Sequence, residues 1–142
     1  MSLPRSCMRA RVAPEVLRIL HSGCQELLDV RTSASEMITG TEGADVIFGL
    51  GGRGILEGGG GPDLICGGIG NDDISGGSGN DVLDGGRGDD KLNGGAGNDR
   101  LLGNAGIDRL TGGAGADFFS GWAGADTSTD YTVSQGDSRD GS

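Results

Sequence analysis

A nine-residue unit repeats ten times without an insertion between residues 40 and 129, and its copy at residues 76–84 reads GGSGNDVLD. Glycine occupies the first and fourth positions of every unit, and aspartate occupies the sixth position of nine units, with Gly54 as the exception. Ile, Leu or Phe occupies the eighth position of nine units, with Ser128 as the exception. Repetition at a fixed period predicts a stacked fold in which each unit contacts its neighbours. A random low-complexity tract would not keep its phase over this length.

The composition of the chain does not support an ordinary hydrophobic core. Glycine accounts for 32 of the 142 residues, aromatic residues make up 4%, and the formal net charge is −10. Burial of so few apolar groups cannot offset the conformational entropy of the chain, so folding requires a metal, a partner or a neighbouring domain. The negative charge disfavours nucleic acid as a partner, because phosphates would repel it. No apolar run reaches the roughly 18 residues of a transmembrane helix.

Glycine and aspartate at these positions predict a site for a hard cation. Glycine at the first, second and fourth positions permits positive φ angles and a close approach of successive turns. Such turns direct backbone carbonyls to a common point, and the aspartates add charged oxygen ligands there. Calcium takes about six to eight oxygen ligands in flexible geometry. Zinc prefers His or Cys ligands, and the repeat block contains one Cys and no His.

The unit G-G-x-G-x-D-x-U-x, in which U is a large apolar residue, resembles the calcium-binding nonapeptide of the RTX (haemolysin-type) family. The resemblance covers about two-thirds of the chain. It implies an all-β fold, namely a parallel β-roll or right-handed β-solenoid with two nonapeptides per coil and about five coils. In the family, the first six residues of each repeat form a calcium-binding turn and the last three form a strand. Calcium lies between turns that are stacked on the same edge.

A roll of this kind has a core of about one side chain per strand. Because side chains alternate along a strand, the eighth residue of each repeat faces inwards and its two neighbours face outwards. We expect one sheet to bury Ile47, Ile65, Leu83, Leu101 and Phe119. The other sheet should contribute Leu56, Ile74, Leu92, Leu110 and Ser128.

The resemblance implies calcium-ligand roles for the sixth-position aspartates, which are Asp45, Asp63, Asp72, Asp81, Asp90, Asp99, Asp108, Asp117 and Asp126. The glycines of five consecutive turns are predicted to contribute through their backbone, and these are Gly58, Gly59, Gly61, Gly67, Gly68, Gly70, Gly76, Gly77, Gly79, Gly85, Gly86, Gly88, Gly94, Gly95 and Gly97. A turn stacks on the turn 18 residues later, so up to about seven complete sites are expected, and Gly54 leaves an eighth without one carboxylate. A purely solubilising role for the aspartates is the alternative, but solvated charge requires no fixed phase.

The flanks of the repeats divide the chain into residues 1–39, the ten-repeat roll at 40–129 and a tail at 130–142. The first region predicts a short helix, because Pro14 suits a helix start and Gly23 suits a helix end. Its apolar stripe comprises Val16, Leu17, Ile19 and Leu20. We expect this segment to cap the first coil, since the ends of a solenoid must hide their apolar edge. The tail is expected to be flexible or to begin a truncated extension.

These features predict a secreted calcium-binding module that folds when it binds calcium. We expect no cleaved signal peptide, because Glu15, Arg18 and His21 interrupt any apolar signal region. The resemblance implies export by type I secretion. The alternatives are a structural or adhesive interaction module, or a C-terminal fragment of a larger RTX toxin, protease or lipase.

Catalysis by this chain is not expected. His21 is the only histidine, whereas a zinc protease helix requires the two histidines of H-E-x-x-H. Ser78 lies in GGSGN, which does not match G-x-S-x-G, and no histidine is near it in the sequence. Cys7, Cys24 and Cys66 are odd in number and indicate no disulfide framework.

The outward positions of the strands predict a protein contact on one face. In the odd-numbered repeats, counted from Gly40, the outward residues include Val46, Phe48, Leu64 and Val82. The corresponding residues of the even-numbered repeats are more polar. A contiguous apolar patch usually marks a contact, and the nearest candidate to cover it is the predicted helix at residues 16–20. Selection for strand propensity is the alternative, but propensity should act on both faces.

Overall fold

The computed structural model describes residues 19–21, 35–129 and 138–139, and within them every regular element is a strand. The strands are β1 (Ile19–His21), β2 (Glu36–Thr39), β3 (Asp45–Phe48), β4 (Gly54–Gly60), β5 (Leu64–Ile69), β6 (Asp73–Ser78), β7 (Val82–Arg87), β8 (Lys91–Ala96), β9 (Arg100–Ala105), β10 (Arg109–Ala114), β11 (Phe118–Ser120), β12 (Thr127–Ser128) and β13 (Ser138–Arg139).

Successive strands alternate between two sheets. The odd-numbered strands form a seven-stranded sheet in the order β1-β3-β5-β7-β9-β11-β13, and the even-numbered strands form a six-stranded sheet in the order β12-β10-β8-β6-β4-β2. From β2 to β12 every pairing is parallel and joins residues 18 positions apart, as in Leu64 with Val82. Two repeats therefore make one coil, and the protein is a parallel β-solenoid of about five turns, as the sequence predicts.

The strands are longer than the family pattern implies. The strand β5, like each strand from β6 to β10, contains the last three residues of one repeat and the first three residues of the next. The parallel ladder continues through the glycines, because Gly68 pairs with Gly86 on the neighbouring strand. Between these strands only the fourth to sixth positions remain as the turn, so the expectation of a six-residue turn and a three-residue strand is wrong for these repeats.

The core is a single column of side chains between the two sheets. Nine of the ten predicted core residues that begin at Ile47 are buried, and the tenth, Ser128, is partly exposed. Ile38 is also fully buried, although it precedes the first repeat. It lies on β2 and pairs with Leu56, which places it at the eighth position of a further, degenerate unit at residues 31–39. That spacing is the signal by which the sequence could have revealed it.

The N-terminal segment differs from the predicted helix where the structure describes it. Ile19–His21 form the strand β1, which pairs antiparallel with β3. The edge of a sheet presents unpaired N–H and C=O groups, and a short apolar segment satisfies them by adding a strand. The prediction of a helix over these residues is therefore wrong, and its remaining residues lie outside the described part of the chain. None of the described residues belongs to a helix that is long and apolar enough to cross a membrane.

The two outer faces differ less than the sequence indicates. On the six-stranded sheet, the paired residues Met37 and Ile55 are 56% and 44% exposed, whereas Leu64 on the other sheet is 38% exposed. Apolar side chains thus reach the surface at the N-terminal end of both sheets. The contact through the face of the odd-numbered repeats stays a prediction.

The buried position of Ile38 leads to a test of where the solenoid begins. Ile38→Ala should lower the free energy of unfolding by about 2–5 kcal/mol, because it opens a cavity in the core column. Met37→Ala, on the same strand but facing outwards, should change it by less than about 0.5 kcal/mol. Denaturant titrations in millimolar calcium measure both values. Equally small effects would show that β2 contributes nothing to the stability of the roll.

Candidate metal centre

The sixth-position aspartates end the turns along the two edges of the solenoid. Each one directly precedes a strand or begins it, and it stacks on the aspartate of the turn 18 residues away. Eight of them, from Asp45 to Asp117, are at most 3% exposed, and Asp126 in the last described turn is partly exposed. The fold therefore brings the predicted carboxylates together in two rows and removes them from water.

One oxygen of each carboxylate from Asp63 to Asp126 is used to join consecutive coils. The backbone N–H of Asp63 donates to Oδ1 of Asp81 at 2.9 Å, and the N–H of Asp81 donates to Oδ1 of Asp99 at 2.8 Å. The same bond recurs from Asp45 to Asp126 along both edges. Gly54 has no carboxylate, yet its N–H still donates to Oδ1 of Asp72 at 2.6 Å. The sequence indicated the pairs of aspartates but not this direct link between them.

The other carboxylate oxygen has no partner in six of these residues. Within the described part of the chain, Oδ2 accepts no hydrogen bond in Asp63, Asp72, Asp81, Asp90, Asp99 and Asp108, and the atom is buried in each. A buried charged oxygen without a donor is costly. A row of such atoms with the same orientation indicates that another group satisfies them.

The first glycine of each repeat leaves the space that this oxygen occupies. A Cβ atom on Gly67 would lie 2.5 Å from Oδ2 of Asp72 and 2.6 Å from the carbonyl oxygen of Gly85, one coil further on. A Cβ on Gly76 would likewise collide with Oδ2 of Asp81 and lie 2.7 Å from the carbonyl oxygen of Gly94. An unpartnered carboxylate oxygen and a backbone carbonyl oxygen thus lie beside the same point.

The predicted glycines at the second and fourth positions have a different role. All ten have positive φ angles, and these are Gly59, Gly61, Gly68, Gly70, Gly77, Gly79, Gly86, Gly88, Gly95 and Gly97. At Gly79, with φ of 122°, a Cβ would collide with the carbonyl oxygen of Gly61 in the preceding coil. Glycine at these positions therefore allows the turns to stack closely.

The donor set consists of oxygen atoms from few side chains. Among the described residues no three His, Cys, Asp or Glu side chains converge on one point. Any metal at these turns would therefore take part of its ligands from backbone carbonyls. Calcium accepts mixed carboxylate and carbonyl oxygens, whereas zinc requires nitrogen or sulfur. The residues present fit calcium.

A second ladder at the fifth position was not anticipated from the sequence. Oδ1 of Asn71 accepts the N–H of Asp89 at 3.0 Å, and Oδ1 of Asn80 accepts the N–H of Asn98 at 2.9 Å. The run of Asn or Asp at the fifth position of four consecutive repeats, residues 71 to 98, was the available signal. These exposed side chains tie the outside of adjacent turns together.

Burial raises the pKa values of the stacked carboxyls. For Asp90, burial is the largest cause and repulsion from neighbouring carboxylates adds to it, so that its pKa rises to about 7. Burial also raises the pKa of Asp63 and of Asp99 to about 6. The same cause raises the pKa values of Asp72, Asp81 and Asp108. The roll without metal thus opposes full ionisation of its edges.

Comparison with known proteins gives one match. The family model for the RTX calcium-binding nonapeptide repeat (four copies) matches residues 32–65, 67–101 and 93–128. The matched segments include the degenerate unit that carries Ile38. No curated protein and no solved structure shows a significant match to the chain.

The raised pKa values predict how pH acts on the roll without calcium. Asp63, Asp90 and Asp99 have folded pKa values of about 6 to 7 against an ordinary value of 3.8. Folding therefore favours their protonated forms, and this contribution is complete below about pH 4 and is lost as the pH rises through 6 to 7. Circular dichroism in calcium-free buffer should show a larger fraction of folded roll at pH 5 than at pH 7.5. Greater stability at the higher pH would contradict this assignment.

Proposed function

The chain belongs to the RTX calcium-binding nonapeptide-repeat family, and from this membership we propose that it is an extracellular module whose folding depends on calcium. The observation that carries the proposal is the row of six buried carboxylates whose Oδ2 atoms accept no hydrogen bond in the described part of the chain. Repeats of this family bind calcium through a β-roll, and the fold and the oxygen donors described above support the same role here.

The unpartnered carboxylates from Asp63 to Asp108 would hold the metal, together with carbonyl oxygens of the adjoining turns. When bound, calcium would supply the positive charge that neutralises two rows of buried aspartates. The residues of the chain supply the geometry, because the Oδ1 bonds fix each carboxylate against the next coil and the first-position glycine leaves room for Oδ2.

Dependence of folding on calcium follows from the balance between charge and core. The solenoid buries one apolar side chain per strand, whereas it buries a carboxylate at nearly every turn. Without a counter-charge, repulsion and desolvation of the carboxylates oppose folding, and so small a core cannot compensate. Metal binding and folding are then a single event.

Extracellular location is supported by the calcium concentration that such a site requires. Extracellular calcium modules bind at about 10⁻⁴–10⁻³ M, which is far above cytosolic levels. The chain could therefore leave the cell unfolded, consistent with type I secretion, and fold where calcium is abundant. The family is defined by a structural repeat that binds calcium, and a binding role for this chain agrees with that definition.

A second candidate function is a structural or adhesive interaction module. Trp122 favours it, because its large aromatic side chain is 76% exposed. Tryptophan is enriched among the residues that contribute most to binding at protein interfaces. A pull-down with and without calcium separates the two candidate functions. An adhesive module should capture a partner, and the Trp122→Ala variant should no longer capture it.

Calcium titration followed by circular dichroism tests the main proposal. The chain should be largely disordered in calcium-free buffer at pH 7.5 and should gain β-structure at about 10⁻⁴–10⁻³ M calcium. Magnesium at the same concentration should not substitute, because it retains its waters and demands octahedral geometry. An identical spectrum in calcium-free buffer and in millimolar calcium would show the proposal to be wrong.

Position along the roll should determine the effect of losing one carboxylate. Asp81→Asn keeps an oxygen for the Asp63 N–H but removes the charge, and it should raise the calcium midpoint by about tenfold. Asp126→Asn should raise it by less than about threefold, because Asp126 is partly exposed and, within the described part of the chain, a stacked turn lies on one side of it. Equal shifts in the two titrations would exclude coupling between neighbouring coils.

A further inference from the structure

We propose that the first turn of the roll, residues 40–45, closes by hydrogen bonds instead of calcium, and that it is the metal-independent end on which the calcium-dependent coils stack. The proposal rests on the proposed function, because it distinguishes this turn from others that bind calcium. It gives Asp45 a role different from that of the later aspartates in the two rows.

Asp45 differs from the six unpartnered aspartates in the atoms around Oδ2. This oxygen accepts the backbone N–H of Thr41 at 2.6 Å and the Thr41 hydroxyl at 2.8 Å. The Thr41 hydroxyl in turn accepts the N–H of Gly43 at 3.1 Å. The three residues form a small closed network inside a single turn. The carboxylate oxygen that lacks a donor elsewhere therefore has two donors here.

The backbone at Thr41 distinguishes the first turn from the other described turns. Thr41 occupies the second position of its repeat, and the other nine residues at this position all have positive φ angles. They include the non-glycine residues Leu50, Asn104 and Trp122, so a side chain alone does not prevent that conformation. Thr41 does not adopt it, in keeping with the resistance of β-branched residues to positive φ. Its N–H is consequently directed at the carboxylate of its own turn.

The strand pairing at the same place supplies an independent observation. The neighbour of β3 on its N-terminal side is the antiparallel strand β1, in which His21 pairs with Asp45. Each later described turn on this edge, up to residue 117, is followed by a strand that pairs in parallel with the strand of the preceding coil. Among the described strands, the parallel stack on this edge therefore begins at the turn that Thr41 closes.

The chemistry of this turn disfavours a cation. A backbone N–H is a donor and cannot bind a metal, so a calcium ion at Oδ2 of Asp45 would have to displace it. The hydrogen bonds from Thr41 already compensate Oδ2 of Asp45, and bonds to a charged group are among the stronger ones in proteins. The turn also presents the N–H of Asp45 to Oδ1 of Asp63 at 2.9 Å, which is the link that the next coil requires.

Calcium stoichiometry, measured by native mass spectrometry on the full chain, tests the inference. Asp45→Asn should bind as many calcium ions as the parent chain, whereas Asp81→Asn should bind at least one fewer. An equal loss in both variants would overturn the metal-independent turn and leave the proposed function intact. No loss in either variant would instead overturn the assignment of calcium to the stacked carboxylates.

Two variants of Thr41 test the same point without changing a carboxylate. Thr41→Gly restores the glycine found at this position in most repeats, and it should add one bound calcium ion. Thr41→Val keeps the β-branched side chain and the N–H that donates to Asp45, and it should bind the same number of ions as the parent chain. An unchanged number of ions in Thr41→Gly would count against the inference.

Hydrogen exchange gives a readout that does not depend on any variant. The amides of Thr41 and Asp81 both donate to a carboxylate oxygen, at 2.6 and 2.8 Å. At calcium concentrations below the midpoint, the Thr41 amide should exchange about tenfold more slowly than the Asp81 amide, since only the latter belongs to a calcium-dependent turn. Loss of protection at both amides at the same calcium concentration would contradict the proposal.

Discussion

One hydrogen bond underlies the other features of this roll. In it, the N–H of a sixth-position residue donates to Oδ1 of the aspartate one coil later. It fixes the 18-residue register, since the donor and the acceptor belong to equivalent positions of consecutive coils. It also draws each carboxylate out of water, where Oδ2 is left without a donor in six residues within the described part of the chain. The same contact thus stacks the coils and creates the need for a counter-charge.

The small core explains why that need cannot be ignored. Ten buried apolar residues form one column, from Ile38 to Phe119, and they lie between two edges that bury almost as many carboxylates. In a larger protein, the stability that the core supplies can offset the cost of an unfavourable buried charge. Here the buried apolar residues and the buried carboxylates are similar in number. The metal that satisfies the carboxylates therefore also determines whether the chain folds. The raised pKa of Asp90 is the sign of this conflict in the roll without metal.

Glycine resolves the steric part of the same problem. At Gly67 the missing Cβ provides the space in which Oδ2 of Asp72 and a carbonyl oxygen of the next coil meet. At Gly79 a positive φ allows the turn to contact the preceding one. Thr41 replaces the glycine of its turn and does not adopt this conformation. Its N–H donates to Oδ2 of Asp45 instead. The oxygen that would bind a metal in the later turns is thus satisfied here within its own turn.

The nine-residue period is evident from the amino-acid sequence, and the period determines which residues face inwards. The core from Ile47 to Phe119 and the two rows of aspartates result from the nine-residue spacing, because strand side chains alternate and equivalent positions stack. The folded chain adds features that the period does not predict, namely the six-residue strands, the hydrogen-bonded turn at Thr41 and the antiparallel strand at Ile19–His21. These features depend on which backbone groups meet across coils and at the end of the stack. Spacing along the chain carries no information about those partners, which is why an apolar segment expected to be helical pairs with the exposed edge of β3 as a strand.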